Sequence, residues 1–208
     1  MIRTMALSAL LALSAHAAQS THQHPAPPVP PAAHDPADPT PAMHLGMLHL
    51  GVVQMGGLER LSGRAFDRAY LSMMIAHHQA GVDMSEALLP RLRDPRVREW
   101  AQIVISGQRG EIVEMTAMLR DFQLGSVDQA MHDAMAHDMQ GMLAEVRAAT
   151  HPEEAFVTHM LAHHATGVLM ATLALARSDN ALLRQDAQGV VRVQAEQMNQ
   201  YRSWQPAT

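Results

Sequence analysis

One twelve-residue stretch occurs twice in this chain. Residues 73–84 read MMIAHHQAGVDM and residues 159–170 read HMLAHHATGVLM. The offset is 86 residues, and it extends beyond the stretch itself: Tyr70 aligns with Phe156, Met74 with Met160, His77-His78 with His163-His164, Gly81-Val82 with Gly167-Val168, Met84 with Met170, and Gln108 with Gln194. An internal repeat of this kind restricts the chain to a fold assembled from similar supersecondary units. The spacing of apolar residues within it is helical, and from Ser62 onward no strand-like alternation persists.

Start and stop signals divide the repeat region into five helices. The first is expected over about Arg64–Leu89 and ends at Pro90. Asp94 caps the second, with Pro95 at its first position, and that helix runs to about Gln123 before Gly125. Ser126 is read as the cap of a third helix, 127–148. Thr150 with Glu153 three residues later is read as a capping box opening the fourth, which ends near Ser178. The fifth covers about Ala181–Tyr201. Short connections make neighbours antiparallel. The expected fold is all-α: a ferritin-like antiparallel bundle domain over residues 62–204, made of two helical hairpins (about 64–123 and 150–203) bridged by the Met-rich third helix.

The N-terminus has a different composition. Residues 1–17 carry one Arg, a short apolar run and Ala15-His16-Ala17, the three-part pattern of a signal peptide. That run is too short to span a bilayer. Residues 18–61 begin as a Pro/Ala-rich segment bearing His22, His24 and His34 and are read as a flexible arm. The expected location is periplasmic or secreted, with no membrane span. The net charge of −5 argues against nucleic acid as a partner, which needs a basic face.

Placed at about 100° per residue, His77 falls in the middle of an apolar stripe with Phe66, Tyr70, Met73, Met74, Gly81 and Met84. His78 lies on its shoulder. In the second copy His163 is central to Phe156, His159, Met160, Gly167 and Met170. Gly81 and Gly167, one turn after the central histidines, let two helices approach closely, which brings His77 and His163 together. A lone buried histidine or a Met stripe ordinarily packs. A His-His pair repeated in register between methionines is a different matter, because several buried imidazoles each need a partner.

A shared metal ion supplies such partners. Met73 with His77, Met74 with His78, and His159 with His163 are i,i+4 pairs that share a helix face. The chain holds 17 Met, 14 His and no Cys, so any soft-metal site uses thioether and imidazole, a set that selects copper and Cu(I) especially. Zinc has little use for Met. A di-iron centre wants inward Glu-x-x-His motifs, and this sequence has none. Gln108 and Gln194, on the apolar faces of helices two and five, either orient ligand histidines or tie helices together. In helix three, Met131, Met135, Met139 and Met142 line one face beside His132, either as a packing seam or as a thioether ladder.

Together FDRAYLSMMIAHHQAGVDM, WAQIVISGQRGEIVEM, the Met/His third helix and FVTHMLAHHATGVLM resemble the His/Met-rich, ferritin-like family known as domain of unknown function 305. The resemblance implies a helical bundle, secretion and, as in some members, periplasmic copper binding. By motif match it points to Met74, His77, His78, Met84, Met160, His163, His164 and Met170. The second copy departs from the pattern, with Gln194-Ala195-Glu196-Gln197-Met198 in place of Gln-x-x-Glu-Ile and His159 in place of Met73. The expected function is an exported, non-enzymatic copper-binding protein. It would sequester Cu(I) or Cu(II) or deliver it to a copper transporter or chaperone. The rivals are a ferritin-like metal oxidase and a helical module whose His and Met residues only pack.

Overall fold

The computed structural model describes residues 56–205. Residues 1–17, read as a signal peptide, His22, His24, His34 and most of the segment read as an arm lie outside the described residues. A 3₁₀ turn, Leu58–Arg60, leads into five α-helices: α1 Gly63–Leu88, α2 Pro95–Asp121, α3 Gln129–Ala148, α4 Pro152–Arg177 and α5 Ala181–Arg202. No strand occurs among the described residues. The fold is an all-α bundle. Its start is corrected at one point: Leu58 is fully buried in the core, so part of the segment read as arm belongs to the packed body.

Two of the sequence-level caps are also corrected. Helix α3 begins later than Val127, and its cap is Asp128, whose carboxylate accepts from Met131 N. Glu153 does not close a box with Thr150. Its Oε1 accepts instead from the backbone N–H groups of Arg93 (2.5 Å) and Asp94 (3.3 Å) in the α1–α2 connection, and the residue preceding α4 is His151. The Asp94 cap of α2 is as expected, accepting from Arg96 N and Val97 N. It also accepts from Trp204 Nε1 at 2.9 Å, tying the end of the chain to the start of α2.

Helix α1 packs on α2, α3 and α4, and α4 packs on α5. That explains why α1 is buried along most of its length while α2 and α5 bury one stripe each. The apolar core forms two clusters. One holds Phe66, Tyr70, Met74, Met115, Met170 and Leu183. The other holds Met84, Leu88, Val97, Phe156, Met160 and Tyr201. The paired histidines of α1 and α4 fall at the boundary between them.

The Met face of α3 belongs to the first cluster. Met135 and Met139 are buried there, with Met131 and Met142 packed against it. The loop before α3 is held by α1: Arg68 Nε donates to Ser126 O at 2.8 Å, and Ser72 Oγ accepts from Asp128 N at 2.8 Å.

Candidate metal centre

The centre of the bundle is a contact between two histidines 86 residues apart. The rings of His77 and His163 stack with centroids 3.7 Å apart. His77 Nε2 donates to His163 O at 3.0 Å, and His163 Nε2 donates to His77 O at 2.8 Å. A carbonyl oxygen only accepts, so both rings carry their proton on Nε2 and present a lone pair at Nδ1.

Each of these carbonyls also faces the helical N–H four residues on, which belongs to Gly81 or Gly167. The missing Cβ makes room for the incoming ring. A Cβ at Gly81 would lie 2.8 Å from His163 Cε1 and 2.2 Å from Gln108 Oε1; at Gly167 it would lie 3.0 Å from His77 Cε1 and 2.3 Å from Gln194 Oε1. The two glutamines thus occupy matching places, each amide oxygen over a glycine of the facing helix. Both are buried, and neither oxygen has a hydrogen-bond donor.

His78 and His164 flank the stacked pair. The His77–His78 and His163–His164 centroids are 5.8 and 5.7 Å apart, with interplanar angles of 53° and 56°. All four rings are fully buried. His164 Nε2 donates to Gln197 Oε1 at 2.7 Å, so its Nδ1 lone pair faces that of His163 across 3.4 Å with no proton between them. In the first copy, His77 Nδ1 and His78 Nδ1 both lack a partner. His78 Nε2 lies 2.8 Å from Glu111 Oε2, without the alignment of a ring N–H hydrogen bond.

Burial holds the imidazoles of His77, His163 and His164 neutral. His77 and His163 are pushed well below the usual histidine value by desolvation first, then by neighbouring imidazoles. His164 is lowered to about 4, again mainly by burial. On the outer side of His78, Asp186 of α5 is raised to about 6 by burial and by Glu111. The Tyr70 hydroxyl, buried and without a partner, is raised by burial and then by Asp186 and Glu111.

The methionines sort by layer. Met74 and Met170 share one apolar cluster and Met84 and Met160 the other, so a pair of fully buried thioethers lies on each side of the histidine layer. Other residues singled out in the sequence lie elsewhere. Met73 packs toward the 3₁₀ segment, its Cε 3.7 Å from a Cβ built at Gly56. His159 turns to α3, with Nε2 3.7 Å from Glu145 Oε2. His132 contacts Asp133 at 3.0 Å. Met131, Met135 and Met139 pack in the α3 seam. Among the described residues no three His, Asp or Glu side chains converge as a ready-made metal cage. Glu111, Gln197 and Asp186 were not singled out as site residues. The change from Gln-x-x-Glu to Gln194-x-x-Gln197 was the signal for the first two.

A sequence profile described as "Domain of unknown function (DUF305)" matches residues 5–119 and 153–208. The chain belongs to this family. Helix α3 falls between the matched segments of the DUF305 profile, so the third helix is no part of the family match. A mimivirus protein, "Uncharacterized protein L153" of Acanthamoeba polyphaga mimivirus, is 38% identical over 58 residues, which is 28% of this chain and 38% of that protein's length. This DUF305 chain thus spans little more than a third of that relative. Among solved structures, "CopM in the Cu(I)-bound form" is similar with a TM-score of 0.57 and 25% identity, over 66% of this chain and 94% of that one. Cu(II)-bound and silver-bound forms of CopM match similarly. A DUF305 fragment from Deinococcus radiodurans shares the fold at a TM-score of 0.56 and 21% identity, over 65% and 92% of the two chains.

Proposed function

We propose that this protein binds copper, Cu(I) in preference to Cu(II), and holds it or hands it on at the cell envelope without catalysing a reaction. The observation that carries this reading is the set of buried Nδ1 lone pairs on His77, His163 and His164, which have no proton donor, together with the partnerless Nδ1 of His78. A buried acceptor left unpaired costs about 1–3 kcal/mol, and a cation removes that cost. The adjoining thioethers of Met74, Met84, Met160 and Met170 make the surroundings soft. Zinc in a structural site asks for four ligands, whereas Cu(I) is satisfied with fewer, which suits paired imidazoles in the absence of a carboxylate cage. Similarity to copper- and silver-bound CopM supports the same choice. The signal-like residues 1–17 support export, and a copper transporter or chaperone is the expected recipient.

A second reading is favoured by one observation: His77 and His163 already satisfy each other's Nε2 and carbonyl groups. On that reading the quartet is a polar clasp joining α1 to α4 and binds nothing. Titration of Cu(I) against a chromogenic chelator, with Zn(II) and Fe(II) in parallel, separates the two. Tight Cu(I) binding that is lost in the His77→Ala, His163→Ala double variant supports the copper reading. No binding, or binding that survives the double change, leaves the clasp. Oxygen consumption with Fe(II) or Cu(I) would revive the oxidase.

A further inference from the structure

The two copies match in sequence position and in their histidine contacts but not in charge. His78 Nε2 faces the Glu111 carboxylate at 2.8 Å, and His164 Nε2 faces the Gln197 amide at 2.7 Å; 111 and 197 are matching positions of the repeat. Met115, fully buried, matches Tyr201, whose ring lies 5.5 Å from that of His164. Tyr70 matches Phe156, and Asp186 adds a second carboxylate near Glu111 and His78. Buried polar groups without partners occur in both copies: His77 Nδ1, His78 Nδ1 and the Tyr70 hydroxyl in the first, the Gln194 amide and the Tyr201 hydroxyl in the second.

We propose that the copies are functionally unequal: His77 and His78, backed by Glu111, form the single tight site for a soft monovalent cation, while His163 and His164, backed by Gln197, are a structural copy. This rests on the copper reading above and assigns it to one half of the repeat. The physical reason is charge. A monovalent ion placed among buried rings leaves water, and the cost is several kcal/mol unless an opposite charge compensates. Glu111 supplies that charge through the imidazole, since a ligating histidine commonly sets its second nitrogen against a carboxylate, which raises the basicity of the ligand atom. Gln197 accepts the same proton but contributes no net charge. Glu111 keeps 28% of its side chain exposed. It therefore stays solvated before an ion arrives and marks the edge through which a cation approaches His78.

The test is a competition titration of the full chain with Ag(I) and, anaerobically, with Cu(I). The variants are Glu111→Gln, Gln197→Glu and the two together, each first checked for native helicity and cooperative melting. The expected results are one tight equivalent in the unaltered protein and affinity about 10- to 100-fold weaker in Glu111→Gln. Gln197→Glu should gain a second tight equivalent. The double swap should keep one equivalent, now lost on His164→Asn rather than on His78→Asn. A purely structural role for Glu111 would not produce the gain in Gln197→Glu. Two equal tight equivalents in the unaltered protein, or a Glu111→Gln affinity within about 2-fold of it, would overturn the inequality while leaving the copper reading standing. No tight binding of either ion overturns both.

Discussion

Adding a single methyl group at Gly81 should destabilise this protein, although the same change elsewhere in its helices should stabilise it. Glycine inside a helix is less favourable than alanine by about 1 kcal/mol. At Gly110, in α2, a Cβ meets nothing within 4 Å, so Gly110→Ala should gain most of that amount. At Gly81 the same gain is set against contacts of 2.2 Å with Gln108 Oε1 and 2.8 Å with His163 Cε1. Relieving them requires both side chains to move. His163 cannot move without losing its bond to His77 O, worth about 1 kcal/mol, and overpacking of this kind costs about 1–3 kcal/mol. The net expectation for Gly81→Ala is a loss of about 1–3 kcal/mol, and Gly167→Ala should behave alike. Because both changes act on one histidine stack, their effects should not simply add. Urea melts of the variants measure the differences. If Gly81→Ala were as stabilising as Gly110→Ala, α1 and α4 would not meet through this glycine contact.

Further predictions concern pH, packing and a buried hydroxyl. Unfolded histidines titrate near 6.5, while His77, His163 and His164 resist protonation in the fold. As pH falls below about 6.5 the unfolded chain binds protons that the native chain refuses, so stability falls. For His164, lowered to about 4, the loss reaches about 3 kcal/mol. Asp186, raised to about 6, works in the opposite sense, because the native chain takes up its proton first on acidification. Asp186→Asn should therefore be more stable at pH 7 and should lose stability more steeply toward pH 5, as read by melts across that range. Met135→Ala and Met139→Ala should each cost about 2–5 kcal/mol and leave Ag(I) stoichiometry unchanged, because these side chains fill the α3 seam. Tyr70→Phe removes a buried hydroxyl without a partner and installs the residue found at matching position 156; it should raise stability by about 1 kcal/mol, seen as a higher melting temperature.

Much of the helical layout was legible in the sequence because its signals are local. Pro90, Asp94-Pro95 and Gly125 punctuate the chain where helices end and begin. The meeting of His77 with His163 could be read from the repeat because Gly81 and Gly167 follow the histidines by one turn, where only a residue without a side chain admits a facing ring. The caps that failed did so for a non-local reason: Glu153 is drawn to the backbone of Arg93 and Asp94, some 60 residues away in sequence, which outweighs the nearby Thr150. The same limit applies to His159 and Met73. Helical spacing places them on a shared face with the central histidines, but Glu145 on α3 and the 3₁₀ segment compete for them. Whether the α3 methionines faced solvent or core depended on where α3 lies against α1, which periodicity does not specify. The roles of Glu111 and Gln197 emerge only when the repeat is superposed on the contacts of His78 and His164.

The most direct measurement of the central claim is the imidazole region of long-range ¹H–¹⁵N spectra of the chain, recorded before and after one equivalent of Ag(I). The account predicts that the buried histidines begin as Nε2–H tautomers. On loading, the Nδ1 resonances of His77 and His78 should shift strongly while their Nε2 protons are retained. Shifts confined to other histidines, or none at all, would contradict the claim that these lone pairs are where the ion binds.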